Sequence, residues 1–163
     1  MTTVVFRSLR KTDAAAIEAL ALEAWHYTYR DIFDRQFIED FVHTNYAPAA
    51  ILALLPRIDS GEMFFHVASQ QRDILGFCNM AVADQAGYLL RIYLLPSRIG
   101  QGLGGKLLEL GEVFIRSHQL PGYSCFVHRD NRLGTQFYLK NGFRHVAAKD
   151  RGDEWFMEKL LAG

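Results

Sequence analysis

At 163 residues the chain is long enough to bury a substantial core and suits one domain, residues 1–163. Half of it is hydrophobic and 13% aromatic, which excludes disorder; 18 Lys and Arg balance 18 Asp and Glu with no basic run, which argues against a nucleic-acid binder working by phosphate neutralisation. No apolar stretch reaches the length of a membrane span, the N-terminus has no signal-peptide pattern, and Cys78 and Cys125 sit in apolar runs without metal-ligand spacing; a cytoplasmic protein with buried free thiols, no metal and no membrane partner is expected.

Val4 to Leu9 reads as a first strand. Thr12-Asp13 then caps a helix from Ala14 to about His26, with Ile17, Leu20 and Ala24 at helical spacing. Further helical tracts run from Arg35 to His43 and from Pro48 to Leu55, the second with proline in its first turn. Met63 to Ser69 and Ile74 to Val82 read as antiparallel strands joined by the polar turn from Gln70 to Asp73. Ala86-Gly87 leads into an apolar run from Tyr88 to Leu95, ended by Pro96. The helix after it places Leu103, Leu107, Leu110 and Phe114 on one stripe, with Glu109, Glu112 and Arg116 elsewhere. Tyr123 to His128 is a strand, parallel to the 88–95 strand because a helix links the two. Asn131 to Asn141 is the last helix, stopped by Gly142, and Phe143 to Ala147 with Glu154 to Leu160 forms a closing hairpin.

The most informative stretch is the buried strand followed by Gly100-Gln101-Gly102-Leu103-Gly104-Gly105-Lys106. A strand, a glycine-rich turn and a helix start make an anion cradle, because unpaired N–H groups and the positive end of the helix dipole point at the ligand. Three phosphate loops fit on paper. A P-loop needs Ser or Thr where Leu107 stands. A dinucleotide fingerprint needs an acidic residue near Phe126, where none is found, and more chain than follows the loop. A turn before a purely structural helix is the plain alternative.

The third loop is that of a known family. Ile92-Tyr93-Leu94-Leu95-Pro96, Gly100-Gln101-Gly102-Leu103-Gly104, and Asn131 followed by Phe137-Tyr138-Leu139-Lys140-Asn141-Gly142-Phe143 together resemble the GNAT superfamily of acyl-CoA-dependent N-acyltransferases in order and spacing. Arg7 to Asp13 looks like the family's opening, and Ile99 departs from it by standing where Gln or Arg is usual. Because the loop binds mainly through backbone N–H groups, the site should survive that change. The resemblance implies a mixed α/β fold with a central, mostly antiparallel sheet of six to seven strands. Its two central strands would be parallel and splayed, with helices on both faces.

The resemblance also implies acetyl-CoA as acyl donor. Ile92, Tyr93 and Leu94 would hold its pantetheine arm by their backbone, and Gly100, Gln101, Gly102, Leu103, Gly104 and Gly105 its pyrophosphate. Asn131 and Tyr138 fall on one helix face with Gly134 between them, a face that suits a cofactor groove, while Leu133 and Phe137 point towards the core. Asn131 also suits a plain N-cap and Tyr138 a plain core residue. In the family reaction an amine attacks the thioester directly in a ternary complex, and Tyr138 matches the proton donor to the departing sulfur. Many relatives carry a base as Glu on a central strand, but here Leu90, Arg91 and Phe126 stand there. His128 is the candidate to relay a proton through water, with His26 and Glu23 as rivals and ordered water alone as a further route.

Trp25 to Phe33, with Arg91 to Pro96, looks like the polyamine and small-amine branch of the superfamily. It implies a primary-amine acceptor, with Trp25, Tyr27, Tyr29 and Asp31 as its binding residues. Glu23, Asp34, Glu39 and Asp40 are further carboxylates for ammonium groups, and a solvated helical surface is the plain alternative. Acetylation of a protein N-terminus or lysine, and a non-catalytic acyl-CoA-binding domain, remain open, as does a homodimer.

Overall fold

The computed structural model describes residues 2–162. A seven-stranded sheet runs through the molecule in the order β1 (Val5–Ser8), β2 (Met63–Gln70), β3 (Asp73–Ala83), β4 (Ala86–Leu94), β5 (Gly122–His128), β7 (Glu154–Leu160) and β6 (Arg144–His145). Every neighbouring pair is antiparallel except β4 with β5, which is parallel. β2 and β3 are buried along almost their whole length, because helices cover both faces of the sheet.

On one face lie α1 (Ala14–Tyr29), α2 (Arg35–Tyr46) and α3 (Pro48–Leu52); Ile17, Leu20, Ala24 and Trp25 pack there against Phe65, Val67 and Phe77. On the other lie α5 (Leu103–Ser117) and α6 (Arg132–Lys140), with Leu107, Leu108 and Ile115 against Phe64, Met80, Leu89 and Val127. Asp13 works at the start of α1 differently from the expected cap. It lies in a short 3-10 turn and its carboxylate accepts from the Arg10 N–H at 2.8 Å and from Arg7. Asp34 caps α2 by accepting from the Phe37 N–H at 2.7 Å. Among the described residues no helix is long and apolar enough to cross a membrane.

Four expectations need correction. The helix expected over 48–55 divides into α3 and α4 (Leu55–Asp59), because Pro56 has no N–H for the continuing hydrogen bond. The closing hairpin is shorter than 143–147 would make it. β6 is two residues long because Ala147–Lys149 winds into a 3-10 turn, and Asp150 accepts from the Phe156 N–H at 2.8 Å. In α5 Leu103 and Leu107 are buried as expected, but the stripe continues through Leu108, Gly111 and Ile115, with Leu110 and Phe114 only half-buried. Glu112, placed off the apolar stripe, is nonetheless buried: its carboxylate accepts from Tyr123 Oη at 2.6 Å and Lys159 Nζ at 2.8 Å.

Candidate active site

The site begins where two parallel strands part. β4 and β5 share a single register pair, Tyr88 with Ser124, and diverge beyond it. A bulge adds to the divergence: Met80 faces Leu89 and Asn79 faces Arg91, so Leu90 is an extra residue on β4 and bends the strand. The polar backbone edge of β4 beyond Tyr88 has no strand against it on the β5 side. The resulting cleft is lined by Leu89 to Leu94 on one side and Cys125 to Val127 on the other. Ligands of parallel sheets bind at this carboxyl end.

At the mouth of the cleft the chain turns into α5. Gly102 is the N-cap, with φ +84°, and the first helical hydrogen bond runs from Lys106 N to Gly102 O at 3.1 Å. The N–H groups of Leu103, Gly104 and Gly105 precede that bond and are the ones a helix leaves for an anion. A Cβ on Gly102 would meet nothing within 4 Å, so the turn opens onto space. Gly104 is constrained by packing: its Cβ would stand 2.9 Å from the Phe137 ring. Both Gly104 and Ile99 line the cleft, Ile99 adding apolar surface where the family usually carries a polar side chain.

The N-terminus of α6 closes the cleft with Asn131, Leu133, Gly134, Phe137 and Tyr138. Leu133 is 40% exposed and lines the cleft rather than the core, whereas Phe137 packs against the core as expected and lines the cleft as well. Asn131 is buried and serves as cap and lining together. Its Oδ1 accepts the Gly134 N–H at 2.8 Å, and its Nδ2 donates to Tyr29 Oη at 3.3 Å. Gly134 makes room for that amide, which lies 2.7 Å from where a Cβ would be. Burial, with Cys125 and Tyr29 beside it, holds the Tyr138 phenol well above its ordinary range, so it stays protonated as a donor. The Cys125 thiol is pushed up to about 12 by burial and is no nucleophile.

The first helix supplies the remaining wall through Ala24, Tyr27, Thr28 and Tyr29. Tyr29 Oη lies 3.4 Å from Tyr93 Oη. Tyr27 is half exposed, and it lines both the cleft and a second groove that carries Glu23, His26 and Arg30. Trp25 does not line the cleft; it is buried, with ring centroids 4.3 Å from Phe41 and from Tyr29. Asp31 stands in solvent beside Arg30.

His128 lies on the strand face of Phe126 but outside the cleft lining, edge-on to Phe33. Its Nδ1 accepts the Asp130 N–H at 3.1 Å, which occupies the lone pair of the neutral ring. Among the described residues no Asp, Glu or His lines the cleft, and Arg91 is its one charged side chain. Arg91 donates to Asn79 Oδ1 at 2.6 Å and lies over the Tyr46 ring. The Leu90 bulge and the Tyr29–Tyr93 contact escaped the sequence reading, the first because no glycine marks it and the second because 64 residues separate the partners.

Comparison with known proteins agrees with this geometry. Residues 61–145 match the acetyltransferase (GNAT) domain family. A protein of Thermoplasma acidophilum named spermidine N(1)-acetyltransferase is 29% identical over 158 residues, covering 96% of this chain and 97% of its own. The crystal structure of PaiA N-acetyltransferase from Thermoplasma acidophilum in complex with coenzyme A superposes with a TM-score of 0.92. It is 28% identical, over 98% of this chain and 99% of that one. A GNAT-family acetyltransferase of Staphylococcus aureus shares the fold at 15% identity, with a TM-score of 0.76 over 98% of this chain and all of that one, 100%. With more than half of its residues inside the matched domain, the chain belongs to the GNAT acetyltransferase family.

Proposed function

We propose that the protein moves the acetyl group of acetyl-CoA to the primary amine of a small molecule, a polyamine first among the candidates, by direct attack in a ternary complex. The observation that carries this reading is the parting of β4 and β5 directly beside the glycine turn. It offers an unpaired strand edge for the amide-bearing pantetheine arm and helix N–H groups for the pyrophosphate. On this reading Ile92, Tyr93 and Leu94 present the edge, Gly100 to Gly105 hold the phosphates, and Asn131 shapes the groove between them.

The amine nitrogen attacks the carbonyl carbon and the C–N bond forms. The C–S bond then breaks, the electron pair leaves on sulfur, and Tyr138 supplies the proton there and regains one from the water that takes up the amine's proton. Apolar walls and the Arg91 guanidinium both disfavour the ammonium form of an acceptor in the cleft. The amine therefore attacks as the neutral base and its proton leaves to water, with no side-chain base required. The polyamine assignment is supported by the name of the Thermoplasma relative.

The test is acetyl-CoA-dependent thiol release over a panel of spermidine, spermine, monoamines, amino acids and peptides. Turnover on polyamines, with kcat/KM rising with pH as the amine deprotonates, is expected. Turnover confined to peptides, or binding of acetyl-CoA without turnover on any amine, refutes the proposal.

A further inference from the structure

Where the two phenols meet beside the cleft, there are more protons than acceptors. Tyr29 Oη and Tyr93 Oη lie 3.4 Å apart, and Asn131 Nδ2 reaches Tyr29 Oη at 3.3 Å. The amide cannot turn over, because its Oδ1 already accepts the Gly134 N–H. Its NH2 group therefore donates to Tyr29, which acts as acceptor on that side. One phenol proton makes the bond between the two oxygens. The other has no acceptor in the protein among the described residues, a state that buried hydroxyls avoid by taking a water or a ligand as partner.

The contacts favour one arrangement of the two protons. The Tyr93 ring packs beside those of Trp25, Tyr46 and Phe77, with centroids 6.1, 6.3 and 6.1 Å away, and among the described residues Tyr29 Oη is the one oxygen within hydrogen-bond distance of its hydroxyl. Burial raises both phenols; the hydrogen bonds from Tyr93 and Asn131 draw Tyr29 back down, whereas its bond to Tyr29 raises Tyr93 further. With Tyr93 as the donor, Tyr29 accepts two hydrogen bonds, and its own O–H is left for the cleft that both residues line. Accepting two bonds polarises that O–H into a stronger donor.

We propose, on the basis of the acetyl-transfer reading above, that the Tyr29 hydroxyl donates a hydrogen bond to the carbonyl oxygen of the bound acyl thioester and stabilises the charge that gathers there. When the amine nitrogen bonds to the carbonyl carbon, the C=O π pair moves onto oxygen, where Tyr29 meets it without giving up its proton. On collapse the π bond re-forms and the pair of the C–S bond leaves on sulfur. Tyr29 is unchanged at the end of the cycle.

The test is Tyr29→Phe, which keeps the ring and removes the hydroxyl. With acetyl-CoA, kcat should fall about a hundredfold, the usual loss for one oxyanion donor. The Kd for acetyl-CoA should stay within about twofold of the wild type. The same variant is then assayed with the dithioester analogue of acetyl-CoA, whose C=S group accepts hydrogen bonds poorly, and there the loss should shrink to a few-fold. Equal losses with both donors would make Tyr29 a prop for Asn131 and Tyr93 and overturn the assignment. Lost acetyl-CoA affinity with kcat intact would place the hydroxyl on the pantetheine arm and overturn it too. Unchanged kcat beside an active wild type overturns it while leaving the acetyl-transfer reading in place; a wild type inactive on every amine removes both.

Discussion

Gly102 and Gly104 sit two residues apart in one loop, yet the structure assigns them different work, and alanine at each position separates the two. At Gly104 a Cβ would lie 2.9 Å from one carbon of the Phe137 ring and 3.1 Å from another, well inside the 3.5–4.0 Å of a relaxed carbon contact. Overpacking of this kind costs about 1–3 kcal/mol, and the better helix propensity of alanine returns about 1 kcal/mol of it. At Gly102 the Cβ enters open space, so the cost is that of a left-handed backbone, about 1–2 kcal/mol. Urea titration should therefore find both variants weakened by about 1 kcal/mol, and stability alone will not tell them apart. Coenzyme A affinity will. Relaxing φ at Gly102 turns the N–H groups of residues 103–105, and its Cβ occupies the space a pyrophosphate would take, so calorimetry should show at least about a tenfold loss, 1.4 kcal/mol. Gly104→Ala should bind coenzyme A within about threefold of the wild type, and pantetheine, which has no phosphate, should bind both variants alike. Tight binding by Gly102→Ala, with the loss confined to Gly104→Ala, would refute the cradle.

Three other substitutions and conditions follow from the same geometry. Tyr138→Phe should lower kcat by about a hundredfold or more while leaving the Kd for acetyl-CoA and the melting temperature near the wild type. A variant of wild-type turnover would remove Tyr138 from the proton path. Lys159→Met leaves the buried Glu112 carboxylate with only the Tyr123 hydroxyl, and chemical denaturation should show a loss of about 2 kcal/mol, less than a fully buried pair because Lys159 is partly exposed. The Arg7–Asp13 pair sets an acid limit: burial pushes the Asp13 carboxyl up, and hydrogen bonds from Arg7 and the Arg10 N–H outweigh it, holding it below its ordinary range. Its stabilisation is complete above about pH 4, the unfolded value, and fades as pH falls through the lower folded value. Arg7→Met should flatten that part of the stability–pH curve, and an unchanged curve would show that the pair contributes nothing.

Local pattern made most of the elements legible, because each of them has to hide one face. Ile17, Leu20 and Ala24 are spaced as a helix must be to lie on a sheet, and all three are buried. The parallel pairing of β4 with β5 followed from the helix between them, since that connection leaves no other handedness open. What stayed hidden depended on distant partners. Glu112 reads as one more polar residue of an amphipathic helix until Tyr123 and Lys159 arrive from β5 and β7 to satisfy its carboxylate. The insertion of β7 between β5 and β6 is invisible to a hairpin reading, because register is set by the whole sheet and not by the turn.

The same distinction holds at the site, and the proposed reaction accounts for a cleft that carries so little charge. In the proposed transfer the thioester already holds an activated carbonyl, so the protein would have to place the donor, keep the amine neutral and steady the charge that passes from oxygen to sulfur. Backbone N–H groups and phenols can do that in an apolar wedge, where each hydrogen bond is worth more than it would be in water. The glycines could be read as a candidate cradle because they lie at a helix start, whereas Tyr138, near the end of α6, became a candidate only through the family resemblance. Tyr29 was legible only as an aromatic on the acceptor wall. Its contacts with Tyr93 on β4 and Asn131 at the head of α6 exist only once α1 has docked across the opening between the parted strands. A carboxylate at that position would require its own partners and would attract the ammonium form of the acceptor, which is the form that cannot attack. In the proposed arrangement, a pair of phenols that shares one hydrogen bond and points the remaining proton into the wedge avoids both costs.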